Sequence, residues 1–265
     1  MSPTASQLLK NTRRAPEILR CFQETAQWQQ ITRAYLGFSK LTYPSLLRLR
    51  RGDHIQLQEL TDLKTFWQIF LRRVYRVESS DGVILDIGAN VGLFALYAAR
   101  EARQARIFAV EPFPATFDRL LEVVRDQGLT DRITCLNYAI TGEGGIRLMR
   151  NDAVPSQQRS LIAPGQSVSG TAVQSKTLSE LLREQRLDQV DLLKMDIEGG
   201  EYEVLLSTPP DILRSIRRIA VEYHGNCAPH NKAEIFDQLH RAGFKVTWDV
   251  QDHLGYGVAE AVMSA

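Results

Sequence analysis

The sequence predicts an open α/β domain, a largely parallel sheet with helices on both faces, preceded by a helical extension. Three observations carry this. The stretch Val83-Ile-Leu-Asp-Ile-Gly-Ala-Asn-Val-Gly92 opens as a short apolar run, the pattern of a strand buried on both faces, and turns through Gly88, Asn90 and Gly92. It continues into Leu93, Leu96 and Tyr97 at helical spacing. From Asp81 onward, apolar runs of strand length alternate with helical segments, as in parallel sheets. Finally, polar groups collect at the ends of these runs: Asp86, Glu111, Asp196, Glu198, Glu222 and His224. In open α/β sheets ligands bind outside the carboxyl ends of the strands. The expected division is an N-terminal helical extension over 1–78 and a ligand-binding domain over 79–265.

In chain order, residues 1–50 read as amphipathic helices with Leu8, Leu9, Ile18, Leu19, Phe22, Trp28, Ile31, Tyr35, Leu36, Leu46 and Leu47 as apolar positions, and Pro44 at a helix start. Arg51-Gly-Asp-His54 is turn chemistry, residues 54–58 alternate as a short strand, and 63–77 form a helix burying Phe66, Trp67, Ile69, Phe70 and Val74. After the opening strand–turn–helix unit, Ile107-Phe-Ala-Val110 is a second strand that runs into Glu111-Pro-Phe-Pro114. A helix with Phe117, Leu120, Leu121 and Val124 stops at Gly128, and a third strand spans 133–140. A turn over 141–145 precedes a strand at 146–149. The Ser-, Gln-, Gly- and Pro-rich stretch 150–170 is a long loop. A strand (173–176), a helix (178–186), a fourth main strand ending Lys194-Met-Asp-Ile-Glu198, a fifth ending at His224, a helix (233–242) and strands at 245–250 and 257–262 complete the chain.

Composition sets outer bounds. The 265 residues are 44% hydrophobic and 24% charged, as in ordinary globular proteins, with a formal net charge of +1. The charge is uneven: residues 1–80 carry 13 Lys and Arg against 6 Asp and Glu, the remainder 19 against 25. A basic extension suits an acidic substrate, membrane surface or partner, or is simply a solvated helical face. Cys21, Cys135 and Cys227 are widely spaced, without metal-ligand spacing or a disulfide framework, which points to a reduced, cytoplasmic setting. No leader-like apolar segment opens the chain, and no apolar run approaches the roughly 18 residues of a membrane span.

The Gly-rich turn rejects two common ligand classes. Counting from Gly88, the second and third positions of a dinucleotide Gly-x-Gly-x-x-Gly fall on Asn90 and Leu93, and no phosphate-loop sequence is present. What stands instead is Asp-x-Gly-x-Asn-x-Gly. A carboxylate at the strand end repels pyrophosphate and suits a ligand with an ammonium and a sulfonium. Glu111 closes the next strand, where a ribose diol is held in this architecture. An ordinary strand-end acid would explain Glu111 alone; combined with Asp86 and the glycines it points to S-adenosylmethionine, with the amino-acid end at the turn, the ribose at Glu111 and Pro112, and the adenine near Asn137 and Ala139.

At this point the chain resembles the FkbM-type methyltransferases. Asp86-Ile-Gly-Ala-Asn-Val-Gly92, Glu111-Pro-Phe-Pro114, Asn137-Tyr-Ala-Ile140, Leu193-Lys-Met-Asp-Ile-Glu-Gly-Gly-Glu201 and Val221-Glu-Tyr-His224 follow the family's order and spacing over residues 81–245. The resemblance implies a class I methyltransferase (Rossmann-like) sheet of about seven strands and, usually, O-methylation of a small-molecule or sugar hydroxyl, as in natural-product biosynthesis.

For the acceptor end, period-two alternation predicts Lys194, Asp196 and Glu198 on one side of their strand, and Glu222 and His224 on one side of theirs. Lys194 is expected to pair with Asp196 or Glu222. An alcohol must lose its proton as it is methylated, so His224 is the expected base, with Asp196 as alternative base, orienting partner and cofactor neighbour. Glu198 and Glu222 are expected to contact substrate. The same carboxylates have the chemistry of a Mg²⁺ site, but no spacing demands a metal, and none is assigned. N-methylation of a small molecule and a non-catalytic cofactor-fold scaffold are the competing readings. The acidic second part of the chain and the lack of an Asn/Asp-Pro-Pro-aromatic motif argue against nucleic acid. The expected partner is a hydroxylated small molecule, with no stable membrane insertion; the N-terminal helices are expected to serve as a lid or a homodimer contact.

Overall fold

The computed structural model describes residues 14–150, 170–224, 230–251 and 257–264. The predicted loop 150–170, Cys227 and the first apolar positions, Leu8 and Leu9, therefore lie wholly or largely outside the described residues. The chain divides into two compact units, Met1–Val74 and Tyr75–Ala265.

In the first unit, α1 (Ala15–Glu24) and α2 (Trp28–Tyr35) precede a hairpin of β1 (Ser45–Arg48) and β2 (His54–Leu57), followed by α3 (Leu60–Phe66) and a π-helical turn, Trp67–Arg72. Tyr35 stacks on Trp67 with centroids 3.9 Å apart, and the Trp67 indole donates to Glu17. Pro44 does not start a helix. Leu47 and Leu49 are buried while Leu46 is exposed, an alternation that only a strand satisfies, and the Leu46-Leu47 doublet had disguised it. The predicted helix 63–77 ends early: its last turn widens and closes at Arg73 in the left-handed region, φ 58°.

The second unit holds a seven-stranded sheet of β3 (Val83–Ile87), β4 (Arg106–Val110), β5 (Ile133–Leu136), β9 (Val190–Met195), β10 (Ile216–Tyr223), β11 (Phe244–Gln251) and β12 (Gly257–Met263). Their spatial order is β11-β12-β10-β9-β3-β4-β5. The five strands from β10 to β5 run parallel, and β12 is antiparallel to both β10 and β11. Helices α4 (Leu93–Glu101), α5 (Pro114–Asp126), α6 (Leu178–Glu184), α7 (Glu201–Ser207), α8 (Pro210–Arg214) and α9 (Lys232–Arg241) connect them. The predicted third strand breaks in two. β5 stays in the main sheet, whereas β6 (Ala139–Ile140) pairs with β8 (Gly170–Lys176), which also pairs with β7 (Gly145–Arg150) in a small three-stranded sheet.

The chain builds β3, β4 and β5 outward in one direction, then returns to lay β9 and β10 on the other side of β3. That reversal opens a crevice beyond the carboxyl ends of β3 and β9. The strands beneath it are almost wholly apolar: Ile84, Leu85, Leu192, Leu193, Met195, Ile219 and Val221 are buried. The exception is a cross-strand pair in register, Asp86 and Lys194, whose Oδ1 and Nζ lie 3.0 Å apart with both side chains nearly inaccessible. A second buried pair, Arg218 with Asp81 at 2.6 Å, fixes the entry to β3 against β10.

Removing one member of a buried pair strands the other's charge, at a cost of about 3–5 kcal/mol. Lys194→Met should lose about that much stability in urea unfolding, and adding Asp86→Asn should restore much of it. Additive losses in the double variant would show that the two groups are stabilised separately.

Candidate functional site

Each element at the crevice is held by a traceable contact. Asp86, fully buried near the end of β3, pairs with Lys194 through Oδ1 at 3.0 Å. Lys194 also donates to the Gly88 carbonyl at 2.7 Å and stands 4.0 Å from Asp196 Oδ2. Burial raises the Asp86 carboxyl against the opposing pull of Lys194; burial lowers the Lys194 ammonium, but Asp86 and Asp196 outweigh it and the group is raised. Asp86 acts on the turn through Lys194, which bridges it to the Gly88 carbonyl.

The turn is shaped by close approach. Gly88 has φ 78°, and a Cβ there would sit 1.8 Å from the Asp196 carbonyl oxygen; at Gly92, φ 87°, it would meet Leu120 at 2.7 Å. Asn90 is also left-handed, φ 50°, and its Oδ1 accepts from Val91 N. The amides of the turn are all engaged. Gly88 and Ala89 donate to the Val110 carbonyl, Asn90 to Glu111 Oε2, Val91 to the Asn90 side chain and Gly92 to the Ala89 carbonyl. None of these five amides is left to donate to a phosphate.

Glu111 leaves β4 with its carboxylate clasped by two backbone amides, Asn90 N and Phe113 N, both at 3.0 Å. Burial nevertheless pushes it up to about 7, outweighing those hydrogen bonds. Asn137 Nδ2 donates to the carbonyls of Glu111 and Pro112, pinning the loop after β4. Ala139 is buried in the small sheet beside Met149 and Val173, with Phe113 packed against that cluster.

At the other side, β9 ends at Met195, and Glu198 is left-handed, φ 57°. The predicted alternation thus stops at Asp196, and Glu198 turns away from Lys194 toward His224, with Oε2 3.2 Å from Nε2. Glu201, fully buried at the first position of α7, accepts from Ile197 N at 2.7 Å and Gly199 N at 2.9 Å, and lies 3.5 Å from His224 Nδ1. Burial works to lower His224, but the hydrogen bonds it donates to Glu198 and Glu201 push it up to about 11. At neutral pH it is an imidazolium with both nitrogens directed at carboxylates, so it has no lone pair with which to take a proton; this geometry does not suit the base role expected of it.

Glu222 Oε2 accepts from the Tyr75 hydroxyl at 3.0 Å, and the same hydroxyl is 3.4 Å from Asp196 Oδ2. Burial, then the charge on Asp196, push Glu222 up to about 8 against the opposing influence of His224 and Tyr75. Asp196, Glu198, Glu222 and His224 thus form one electrostatically connected group, joined by two residues given no role in the sequence reading, Tyr75 and Glu201. Glu201 was visible as a fourth acid opening a helix after Gly199-Gly200; Tyr75 carried no sequence signal at all. Among the described residues, no cluster of three or more His, Cys, Asp or Glu side chains is arranged to hold a metal, and no helix is long and apolar enough to cross a membrane.

Comparison with known proteins matches this arrangement to a family. The methyltransferase SdnD of Sordaria araneosa is 28% identical over 210 residues, covering 68% of this chain and 81% of the relative. The 2-O-methyltransferase NoeI of Sinorhizobium fredii is 28% identical over 195 residues, covering 66% and 75%. The Methanococcus jannaschii fibrillarin pre-rRNA processing protein superimposes with a TM-score of 0.50 at 12% identity over 85% of this chain and 84% of that one, a likeness of fold. The methyltransferase FkbM domain model matches residues 86–246, from the Asp86 turn through the last helix, and the chain belongs to that family.

Proposed function

We propose that this protein transfers a methyl group from S-adenosylmethionine to a hydroxyl of a small molecule, a sugar or a natural-product intermediate. One observation carries the donor assignment. The amides of the Gly88–Gly92 turn are spent internally, and the side chains around it are carboxylates, which suits a ligand bearing an ammonium and a sulfonium. When bound, that donor supplies a methyl carbon already activated for in-line displacement.

The chain's own residues do the rest. Gly88, Asn90 and Gly92 shape the bed for the methionine end, and Asp86 keeps it rigid through Lys194. Glu111 retains unused lone pairs beyond those given to Asn90 and Phe113, enough to accept from a ribose diol beside Pro112. Asn137 holds that loop in place, with Ala139 on the adenine side. Asp196 borders donor and acceptor, since its carbonyl packs on Gly88 while its half-buried carboxylate faces Tyr75. It receives the acceptor's proton in place of His224, which instead fixes Glu198 as a substrate contact. The name of the 2-O-methyltransferase relative supports oxygen as the atom methylated.

The test is a screen of sugars and hydroxylated metabolites with S-adenosylmethionine, read by mass gain of one methyl group, alongside calorimetry with S-adenosylhomocysteine. Asp196→Asn should cut turnover by about 10²–10⁴-fold, the usual worth of a positioned base, while S-adenosylhomocysteine still binds. Wild-type turnover by this variant would remove Asp196 from the role. Because His224 stays protonated until pH approaches about 11, the rate–pH profile should show no histidine limb near 6.5. Glu111 titrates near pH 7 when empty, and a ribose diol donates to its ionised form, so affinity for S-adenosylhomocysteine should weaken as pH falls below about 7. Glu111→Gln should bind weakly and lose that dependence; an unchanged pH profile would place the ribose elsewhere.

A further inference from the structure

We propose that Tyr75, Glu222 and Asp196 form a proton-sharing cluster that senses the charge of the methyl donor and favours the sulfonium over its neutral demethylated product. The proposal rests on the reading of the Gly88–Gly92 turn as the donor site.

The geometry leaves the cluster one donor short. Tyr75 is 3% exposed, and its single hydroxyl proton faces two carboxyl oxygens, Glu222 Oε2 at 3.0 Å and Asp196 Oδ2 at 3.4 Å. The charged groups that face Glu222 come from every neighbouring segment. Tyr75 stands before β3, Lys194 on β9, Asp196 and Glu198 on the exit from β9, and His224 on the exit from β10. Lys194, 4.0 Å from Asp196 Oδ2, lies closer to Asp86 at 3.0 Å and donates to the Gly88 carbonyl at 2.7 Å, while His224 is committed to Glu198 at 3.2 Å and Glu201 at 3.5 Å. Burial, then the charge of Asp196 across the shared hydroxyl, push Glu222 up to about 8, so Glu222 keeps a proton at neutral pH.

A cation at the turn changes the balance. The Asp196 backbone packs directly on Gly88, so the pair borders the donor site. Positive charge there favours the dissociated pair, and the shared proton leaves to solvent. Methyl transfer then forms the O–C bond and breaks the S–C bond, and the hydroxyl proton returns to the vacated pair. The product is a neutral thioether beside a re-protonated pair, which no longer attracts it. The cluster thus completes a proton cycle without net change in the protein.

The experiment is calorimetry of the full chain with S-adenosylmethionine and with S-adenosylhomocysteine, in buffers of different ionisation heat, between pH 6.5 and 8.5. Glu111 titrates with either nucleoside and cancels in the difference. The sulfonium should release up to about one proton more than the thioether below pH 8, and the ratio of their affinities should rise by at most about tenfold per pH unit. Glu222→Gln should abolish both effects. Tyr75→Phe, which removes a hydrogen bond to the ionised form of Glu222, should keep the release but move it to higher pH. Equal proton release by the two nucleosides in the wild-type chain, or an excess that persists in Glu222→Gln, would overturn the proposal. If neither nucleoside binds, the donor-site reading itself fails and the proposal falls with it; binding of both with equal release leaves that reading standing.

Discussion

The crevice depends on one interaction, the buried contact of Lys194 with Asp86 and the Gly88 carbonyl. A parallel sheet gives its central strands no polar face to spend on charge, so a lysine and an aspartate in register there must neutralise each other. Their pairing does more than cancel a cost. Lys194 reaches from β9 to the carbonyl of the turn that follows β3 and to Asp86 on β3 itself. Strand and turn are thereby locked to the neighbouring strand at the point where the sheet changes direction. The close contact between Gly88 and the Asp196 carbonyl is affordable only because this lock keeps the two strand ends together.

With the turn fixed and its amides satisfied, the chemistry of the crevice passes to side chains. Glu111, Asp196, Glu198 and Glu222 gather there, and the nearest cations, Lys194 and His224, are each held by carboxylates of their own. Burial raises Glu111 and Glu222 into the neutral range because the cations nearby are already shared. A site in that condition resists anions and gains from a positive ligand. The same surplus of carboxyl groups that would be a liability in an empty core is what a sulfonium-bearing donor relieves.

Much of this was legible in the sequence, and the limits are instructive. The strand–turn–helix unit announced itself because its signals are local: an apolar run, three residues suited to left-handed backbone and a helical repeat. Glu111 and Asn137 stood out in the sequence because ligands bind beyond strand ends in this architecture. The split of 133–140 was hidden, since β5 and β6 are separated by only two residues and differ in which sheet they join, not in composition. Pro44 misled because a Leu-Leu doublet fits helix and strand alike. Tyr75 was unreadable, lying 121 and 147 positions from the carboxylates it touches.

His224 shows where residue type and residue role part. A histidine at a strand end, two residues after an acid, has the chemistry of a base, and nothing local contradicts that. What contradicts it is Glu201, whose side chain accepts from the amides of Ile197 and Gly199 and so folds the loop that carries Glu198 back over the imidazole. Flanked by Glu198 and Glu201, the ring becomes more basic and keeps its proton as a cation, while the Tyr202 hydroxyl holds its backbone carbonyl. The proton-accepting role proposed above falls to carboxyl groups that share the Tyr75 hydroxyl. Lys194 lies closer to Asp86, at 3.0 Å, than to Asp196, at 4.0 Å, so the buried pair beneath the crevice also limits how much of its charge reaches the acids above it.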